Sequence, residues 1–133
     1  MAADALGNAV SRADGATLGA IDDFVTGFLA YEKKAANIIA AADADPDSPL
    51  ANIYAGFTWM FLEAEIANDM ARRYLARAEA AAADANVRER MLLAQLRKWV
   101  DNDVPGVQAI GEQIVTEFPR DLASAKLHQY HKI

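Results

Sequence analysis

The fold follows from one apolar stretch, Pro49-Leu50-Ala51-Asn52-Ile53-Tyr54-Ala55-Gly56-Phe57-Thr58-Trp59-Met60-Phe61-Leu62-Glu63-Ala64, whose apolar residues surround a helix of 3.6-residue period. A helix that is apolar all round packs at the centre of a core. Pro46 and Pro49 end the preceding helix, and Asp47 or Ser48 can cap the next one. We therefore expect a central helix from about Pro49 to Ala64.

Helical patterns extend on both sides of this stretch. Alanine is abundant, and no segment alternates apolar and polar residues for long enough to predict a strand. We expect residues 1–16 to form a flexible N-terminal segment and residues 17–133 to form one all-α domain. Its helices are predicted at about Leu18–Ala42, Pro49–Ala64, Asn68–Ala82, Val87–Val100, Pro105–Glu117 and from Pro119 to near the C-terminus.

Composition excludes several classes of function. The chain has 133 residues, no cysteine and a net charge of −6, which excludes thiolate chemistry and disfavours nucleic acids and anionic membranes as partners. Its start, Met1-Ala2-Ala3-Asp4, lacks the features of a secretory signal. The apolar run Ile53–Leu62 is too short to cross a bilayer, which takes about 20 residues. These features predict a cytoplasmic protein.

The charge is distributed unevenly along the chain. Residues 1–69 carry a net charge of −8, whereas residues 70–133 carry a net charge of +2. This asymmetry could orient a partner or align two copies of the chain head to tail. The alternative interpretation is a set of ordinary solvated helix faces, since an exposed charge contributes little by itself.

An internal period organises the helices into pairs. Ala41 and Ala78 are 37 residues apart, and Ala78 and Ile114 are 36 residues apart, while Pro46 and Pro119 each follow an anchor by five residues. Small residues followed by a proline resemble the second helix of a tetratricopeptide repeat. The pattern predicts about six antiparallel helices as three helix-turn-helix hairpins in a right-handed α-solenoid, and a plain antiparallel bundle is the alternative.

A further resemblance rests on longer motifs, and it covers most of the chain from residue 20 onward. The chain is similar to the tetratricopeptide repeat protein 38 family. Members of this family are usually longer and have more repeats, so the resemblance implies a short relative or an N-terminal fragment that stops at Ile133. It implies an architecture rather than an activity, because the biochemical role of the family is not well defined. The motifs are Phe24-Val25-Thr26-Gly27-Phe28-Leu29-Ala30-Tyr31-Glu32-Lys33-Lys34-Ala35, Ala42-Asp43-Ala44-Asp45-Pro46-Asp47, Arg88-Glu89-Arg90, Phe118-Pro119-Arg120-Asp121-Leu122 and Lys126-Leu127-His128-Gln129-Tyr130-His131.

Two histidines provide the alternative reading, a metal-binding or enzymatic helical protein. His128 and His131 share one helix face at a spacing that can hold a metal ion, with Asp121 as a possible carboxylate ligand. No phosphate-binding, dinucleotide-binding, zinc-protease or serine-hydrolase motif occurs. We therefore expect no catalytic residue, no cofactor and no metal, and an enzyme is the less favoured reading.

Two acidic groups also invite a functional interpretation. Asp43, Asp45 and Asp47 imitate the start of a calcium loop, but Ser48 and Tyr54 replace its glycine and its final glutamate, so a turn is favoured. Glu32, Glu63 and Glu65 could form a carboxylate cluster, with Glu32 as a candidate buried acid. Simple ion pairs are the favoured alternative.

The leading prediction is an interaction module. Stacked helix pairs present a surface that holds peptides or partner proteins. Tyr54 and Trp59 are candidates for such a groove, although aromatic residues of this kind more often belong to a core. The last helix offers Leu122, Leu127 and Tyr130, which predict a homo-oligomer, most simply a dimer, that covers this end.

Overall fold

A computed structural model describes residues 2–30 and 32–132. Met1, Tyr31 and Ile133 lie outside the described residues. Over the described residues the chain is all-helical, as predicted, with one two-stranded hairpin and two short 3-10 helices, Lys33–Ala36 and Ala82–Asp84. The elements are β1 (Ala2–Ala3), β2 (Ala9–Val10), α1 (Gly15–Ala30), α2 (Asn37–Ala44), α3 (Pro49–Phe61), α4 (Ala67–Ala80), α5 (Val87–Val100), α6 (Val104–Glu117) and α7 (Leu122–Lys132).

The predicted number of helices is wrong, because the first predicted helix is divided in two. Helix α1 ends at Ala30, and the chain turns before α2 begins at Asn37. Gly27 makes this turn possible: a Cβ there would lie 2.9 Å from the backbone nitrogen of Ala35. The N–H of Glu32 donates to the carbonyl oxygen of Gly27 at 2.8 Å. The chain therefore folds back across a residue that has no side chain.

Helix α3 is central, as its apolar sequence predicts. All residues from 49 to 57 are buried, and the helix packs against α1, α2, α4 and α5. Ser48 caps its first turn by accepting a hydrogen bond from the N–H of Ala51, and Pro49 takes the first helical position. At Gly56 a Cβ would lie 2.6 Å from the side chain of Leu96, so this glycine allows α3 and α5 to approach closely.

The remaining helices follow one another through tight turns. Helix α5 begins with a capping box between Asn86 and Glu89 and spans the predicted residues. Helices α5, α6 and α7 pack in sequence, and α7 also packs against α1. Each unit of a solenoid contacts its neighbours in sequence, so this contact between the first and last helices does not confirm a solenoid.

No described helix has the length and apolar character needed to span a membrane.

The N-terminal segment packs against the helices. Strands β1 and β2 pair antiparallel, with Ala2 opposite Val10. Val10 is buried in the core, and the guanidinium of Arg88 donates to the carbonyl oxygen of Ala9 at 3.2 Å. The sequence predicts a flexible segment at residues 1–16 and does not predict the strand pair or its contacts with the helices. The contacts of this segment were not visible in its sequence, because their partners lie on a helix nearly 80 residues away.

Candidate functional site

Four of the six large apolar residues that are exposed in the described part of the chain lie at one end of the helical array, and the other two, Val87 and Leu122, begin α5 and α7. Leu62 and Ile66 are 57% and 58% exposed, and Val104 and Tyr130 are each 39% exposed. The hydroxyl of Tyr130 donates to Glu63 at 3.0 Å, which joins the end of α7 to the loop after α3. We name this surface the Tyr130 end and define it by Leu62, Ile66, Val104 and Tyr130.

An open groove of about 450 Å³ borders the Tyr130 end. It lies between the turn that follows α1 and the exposed face of α7, with the end of α3 at its base. We name it the Phe28 groove. Its walls include Phe28, Glu32, Ala35, Phe61, Lys126 and Tyr130.

Aromatic rings form the floor of the Phe28 groove. The ring of Phe61 lies 5.1 Å from that of Phe28 and 5.2 Å, edge to face, from that of Tyr130. Phe28 also stacks on Phe24, one turn earlier on α1. Rings in such pairs hold one another in place, so the floor is an ordered apolar surface that continues into the core.

Lys126 holds the two walls of the groove together. Its ammonium group donates to the carbonyl oxygens of Phe28 at 2.5 Å and of Leu29 at 3.1 Å, and it lies over the ring of Phe28. These carbonyls belong to the last turn of α1, where a cation also interacts favourably with the helix dipole. The contact joins α7 to α1 and places a positive charge beside the apolar floor.

A second groove lies on the other side of Tyr130. Trp99, Val104, Tyr130 and His131 line it, and its volume is about 340 Å³. The ring of His131 lies 4.5 Å from that of Trp99 in an edge-to-face arrangement. Burial, followed by the hydrogen bond to Glu63, raises the pKa of Tyr130. Tyr130 is therefore a neutral phenol that separates the two grooves.

The two candidate metal ligands, His128 and His131, have different partners. The Nε2 atom of His128 lies 2.9 Å from a carboxylate oxygen of Glu112, and the Nδ1 atom of His131 lies 3.0 Å from the carbonyl oxygen of Leu127. Burial lowers the pKa of His131. Among residues 2–30 and 32–132, no group of three or more histidine, cysteine, aspartate or glutamate residues could hold a metal ion.

Asp121, the third candidate ligand, belongs to a buried ion network instead. Its carboxylate accepts from Arg88 at 2.8 Å and from the N–H of Ser124 at 3.0 Å, so it caps α7 while pairing with α5. Arg88 also lies 3.4 Å from the hydroxyl of Tyr54 and 3.9 Å from the carboxylate of Asp4. The network connects the N-terminal hairpin, α3, α5 and α7.

The candidate interaction residues occupy different environments. Tyr54 is 2% exposed, and burial, followed by the charge of Asp121, raises its pKa. Leu127 is also buried, so neither side chain is available to a partner in this structure. Trp59 is half-buried, and Leu122 is exposed at the beginning of α7. Tyr130 lines both grooves, as a surface residue of the last helix should.

The acidic groups are separated by their ion pairs and hydrogen bonds. Asp43 accepts from Tyr74 and Arg77, while Asp47 pairs with Arg12, as expected for a turn rather than a calcium loop. Glu32 is exposed, which fits the favoured interpretation of a simple ion pair rather than that of a buried acid. The first predicted helix is divided before Glu32, so Glu32 does not lie on the apolar face of a helix. It pairs with Lys34 instead.

Sequence reasoning missed most of the residues that form the two grooves. Phe28, Phe61 and Trp99 appeared as ordinary core positions, since a helical period does not show where a helix face stops being covered. Leu62 and Ile66 carried a weak signal. They flank Glu63-Ala64-Glu65 near the boundary between the second and third predicted helices, where acidic residues could have indicated an exposed loop.

Comparisons with protein-family models, with curated proteins and with solved structures find no match for this chain. The geometry of the Tyr130 end and its two grooves is therefore the basis for the function proposed below.

Proposed function

We propose that this protein is a helical interaction module that binds a protein or peptide segment at the Tyr130 end. One observation carries the proposal: large exposed apolar residues cluster beside a groove with an aromatic floor. Clusters of exposed apolar residues often mark interaction sites on folded proteins.

The chemistry of the Phe28 groove suits a peptide. Apolar and aromatic groups with a few polar ones are typical of binding sites, and aromatic anchors often contribute much of the affinity at protein interfaces. Here Phe28 and Phe61 would receive an apolar side chain, while Glu32 and Gln129 could orient its polar backbone. The groove is open to solvent, so a segment of a partner chain can reach it.

The tetratricopeptide-like pattern supports the same class of function. Two of its anchors, Ala78 and Ile114, are fully buried, which is consistent with their use in close helix packing. We further propose that the helices form three solenoid hairpins, that the chain is related to the tetratricopeptide repeat protein 38 family, and that the protein is cytoplasmic. A role in assembly, with no catalytic activity, is the function we favour.

Selection of peptides from a random library on the immobilised protein tests the proposal. We expect the selected peptides to perturb the backbone amide signals of Phe28, Phe61 and Tyr130 in nuclear magnetic resonance spectra. Tyr130→Ala should weaken binding by about tenfold or more, because it removes an aromatic anchor. The matched control is Leu122→Ala, which truncates an exposed apolar residue at the other end of α7 and should leave the affinity unchanged.

Two outcomes would overturn the proposal. One is a selection that yields no peptide, or only peptides whose binding perturbs a different surface. The other is an equal loss of affinity in the Tyr130→Ala and Leu122→Ala variants, since a specific site at the Tyr130 end requires them to differ. Circular dichroism spectra of both variants establish that their folds are intact.

A further inference from the structure

The segment between α3 and α4 is an exposed acidic loop with an apolar residue at each end. All five of its residues, Leu62-Glu63-Ala64-Glu65-Ile66, are exposed. We name it the Glu63 loop. Exposure of Leu62 and Ile66 does not stabilise the folded state, because burial of an apolar side chain away from water lowers the free energy. Their exposure is understandable if a partner covers them.

The conformation of the Glu63 loop is held by its own hydrogen bonds. The N–H of Leu62 donates to Trp59 at 3.1 Å, and the N–H of Ala67 donates to Ala64 at 2.9 Å. Glu63 adopts a left-handed conformation with a φ of 51°, and its carboxylate accepts from Tyr130. A loop that is ordered before binding loses little conformational entropy on association.

The chain segment beside the Phe28 groove carries charge of the opposite sign. Glu32 and Lys126 line the groove and cancel in charge, and Lys33 and Lys34, which follow Glu32 along the chain, add a charge of +2 beside it, whereas Glu63 and Glu65 give the loop a net charge of −2. Lys33 and Lys34 lie between Glu32 and Ala35, both of which line the groove. Complementary charge around an apolar centre is typical of specific interfaces.

The loop and the groove are neighbours on the same surface. Tyr130 touches both, since its ring lines the groove and its hydroxyl contacts Glu63 in the loop. In a dimer with a two-fold axis, the same surface of each copy forms the interface. The loop and the groove must therefore lie on one surface, so that the loop of each copy can contact the groove of the other. A two-fold axis beside Tyr130 would place Leu62 and Ile66 of each copy near the aromatic floor of the other.

We propose that the Phe28 groove receives the Glu63 loop of a second copy of this chain, which forms a symmetric dimer. This inference rests on the proposed function, because it assigns an occupant to the same groove. The dimer uses the loop after α3, whereas the apolar residues first expected on the last helix include Leu127, which is buried.

Charge reversal tests the predicted pairing. In analytical ultracentrifugation, the wild type should form dimers at micromolar concentrations. Glu65→Lys alone and Lys33→Glu alone should each weaken the dimer by about tenfold, because each contact occurs twice in a symmetric dimer. The double variant Glu65→Lys with Lys33→Glu should recover most of the lost affinity, since opposite charges again face one another.

An apolar substitution supplies the second test. Ile66→Asp should abolish the dimer, because it places a charge against the aromatic floor. The matched control is Val87→Asp: Val87 is 65% exposed but begins α5, whose other end lies at the Tyr130 end. This variant should dimerise like the wild type.

The outcomes separate the dimer from the wider proposal. A wild type that stays monomeric at high micromolar concentration overturns the dimer, and peptide binding in the groove would then still support the proposed function. A dimer that survives Ile66→Asp, or that the double charge reversal does not restore, also overturns this inference. If selected peptides dissociate the wild-type dimer, both the dimer and the shared groove are supported.

Discussion

His131 is a residue whose proton affinity is set by the fold. It is buried against Trp99, its Nδ1–H donates to the carbonyl oxygen of Leu127, and its Nε2 has no hydrogen-bond partner among residues 2–30 and 32–132. Burial lowers the pKa of His131 below its usual value of 6.5. The unfolded chain therefore binds a proton at a higher pH than the folded protein does, and protonation favours unfolding.

We expect the free energy of unfolding to decrease as the pH falls through about 6.5, and the contribution of neutral His131 to be complete above this value. Urea unfolding at about pH 8 and about pH 5 measures the change. The control is His131→Leu, which removes the titrating group but keeps an apolar contact with Trp99. If the wild type and this variant lose the same free energy between the two pH values, the prediction is wrong.

At the scale of one element, the end of α1 depends on a single glycine. A Cβ at Gly27 would lie 2.9 Å from the backbone nitrogen of Ala35, closer than such atoms normally approach. We expect Gly27→Ala to lower the free energy of unfolding by about 1–3 kcal/mol, because the returning chain must move away from α1. Chemical denaturation of the variant measures this loss.

Gly19 provides a matched control on the same helix. A Cβ at Gly19 would meet nothing within 4 Å, so Gly19→Ala tests helix propensity without a steric clash. We expect this substitution to raise the free energy of unfolding by about 0.5–1 kcal/mol. Changes of the same sign in the two variants would contradict the proposed role of Gly27.

At the scale of the whole molecule, the packing of α1 against α7 connects the two ends of the helical array. The Arg88 network adds a connection among the N-terminal hairpin, α5 and α7. An open solenoid can lose its terminal repeats independently, whereas joined ends favour unfolding as one unit. We therefore expect α1, α3 and α7 to unfold together.

Native-state hydrogen exchange measures this cooperativity. The slowest amides of α1 and α7 should exchange with the same free energy of opening as those of α3. As an internal reference, the amide of Asp47, in the exposed turn between α2 and α3, should exchange much faster, because few contacts protect it. If α7 opens at a far lower free energy than α3, its packing against α1 does not join the two ends.

Local sequence determined much of the secondary structure. Apolar periodicity predicted α3 and its buried position, and the residues of α5 matched because Asn86 and Glu89 form a capping box within one helical turn. Pro49, with Asp47 or Ser48 as its cap, predicted the start of α3 for the same reason, and the structure has Ser48 in that place. Such signals are readable because both interacting groups lie within a few residues of each other.

The tertiary structure alone decided the turn at Gly27, the burial of Tyr54 and Leu127, and the place of Tyr130 between two grooves. Each depends on groups far apart in sequence, and periodicity shows that a face is apolar without showing what covers it. The central helix α3, in contrast, was determined by the sequence itself, because its residues are apolar on all sides. The surface at which we propose that this protein binds its partner arose when α1, α3 and α7 met at one end.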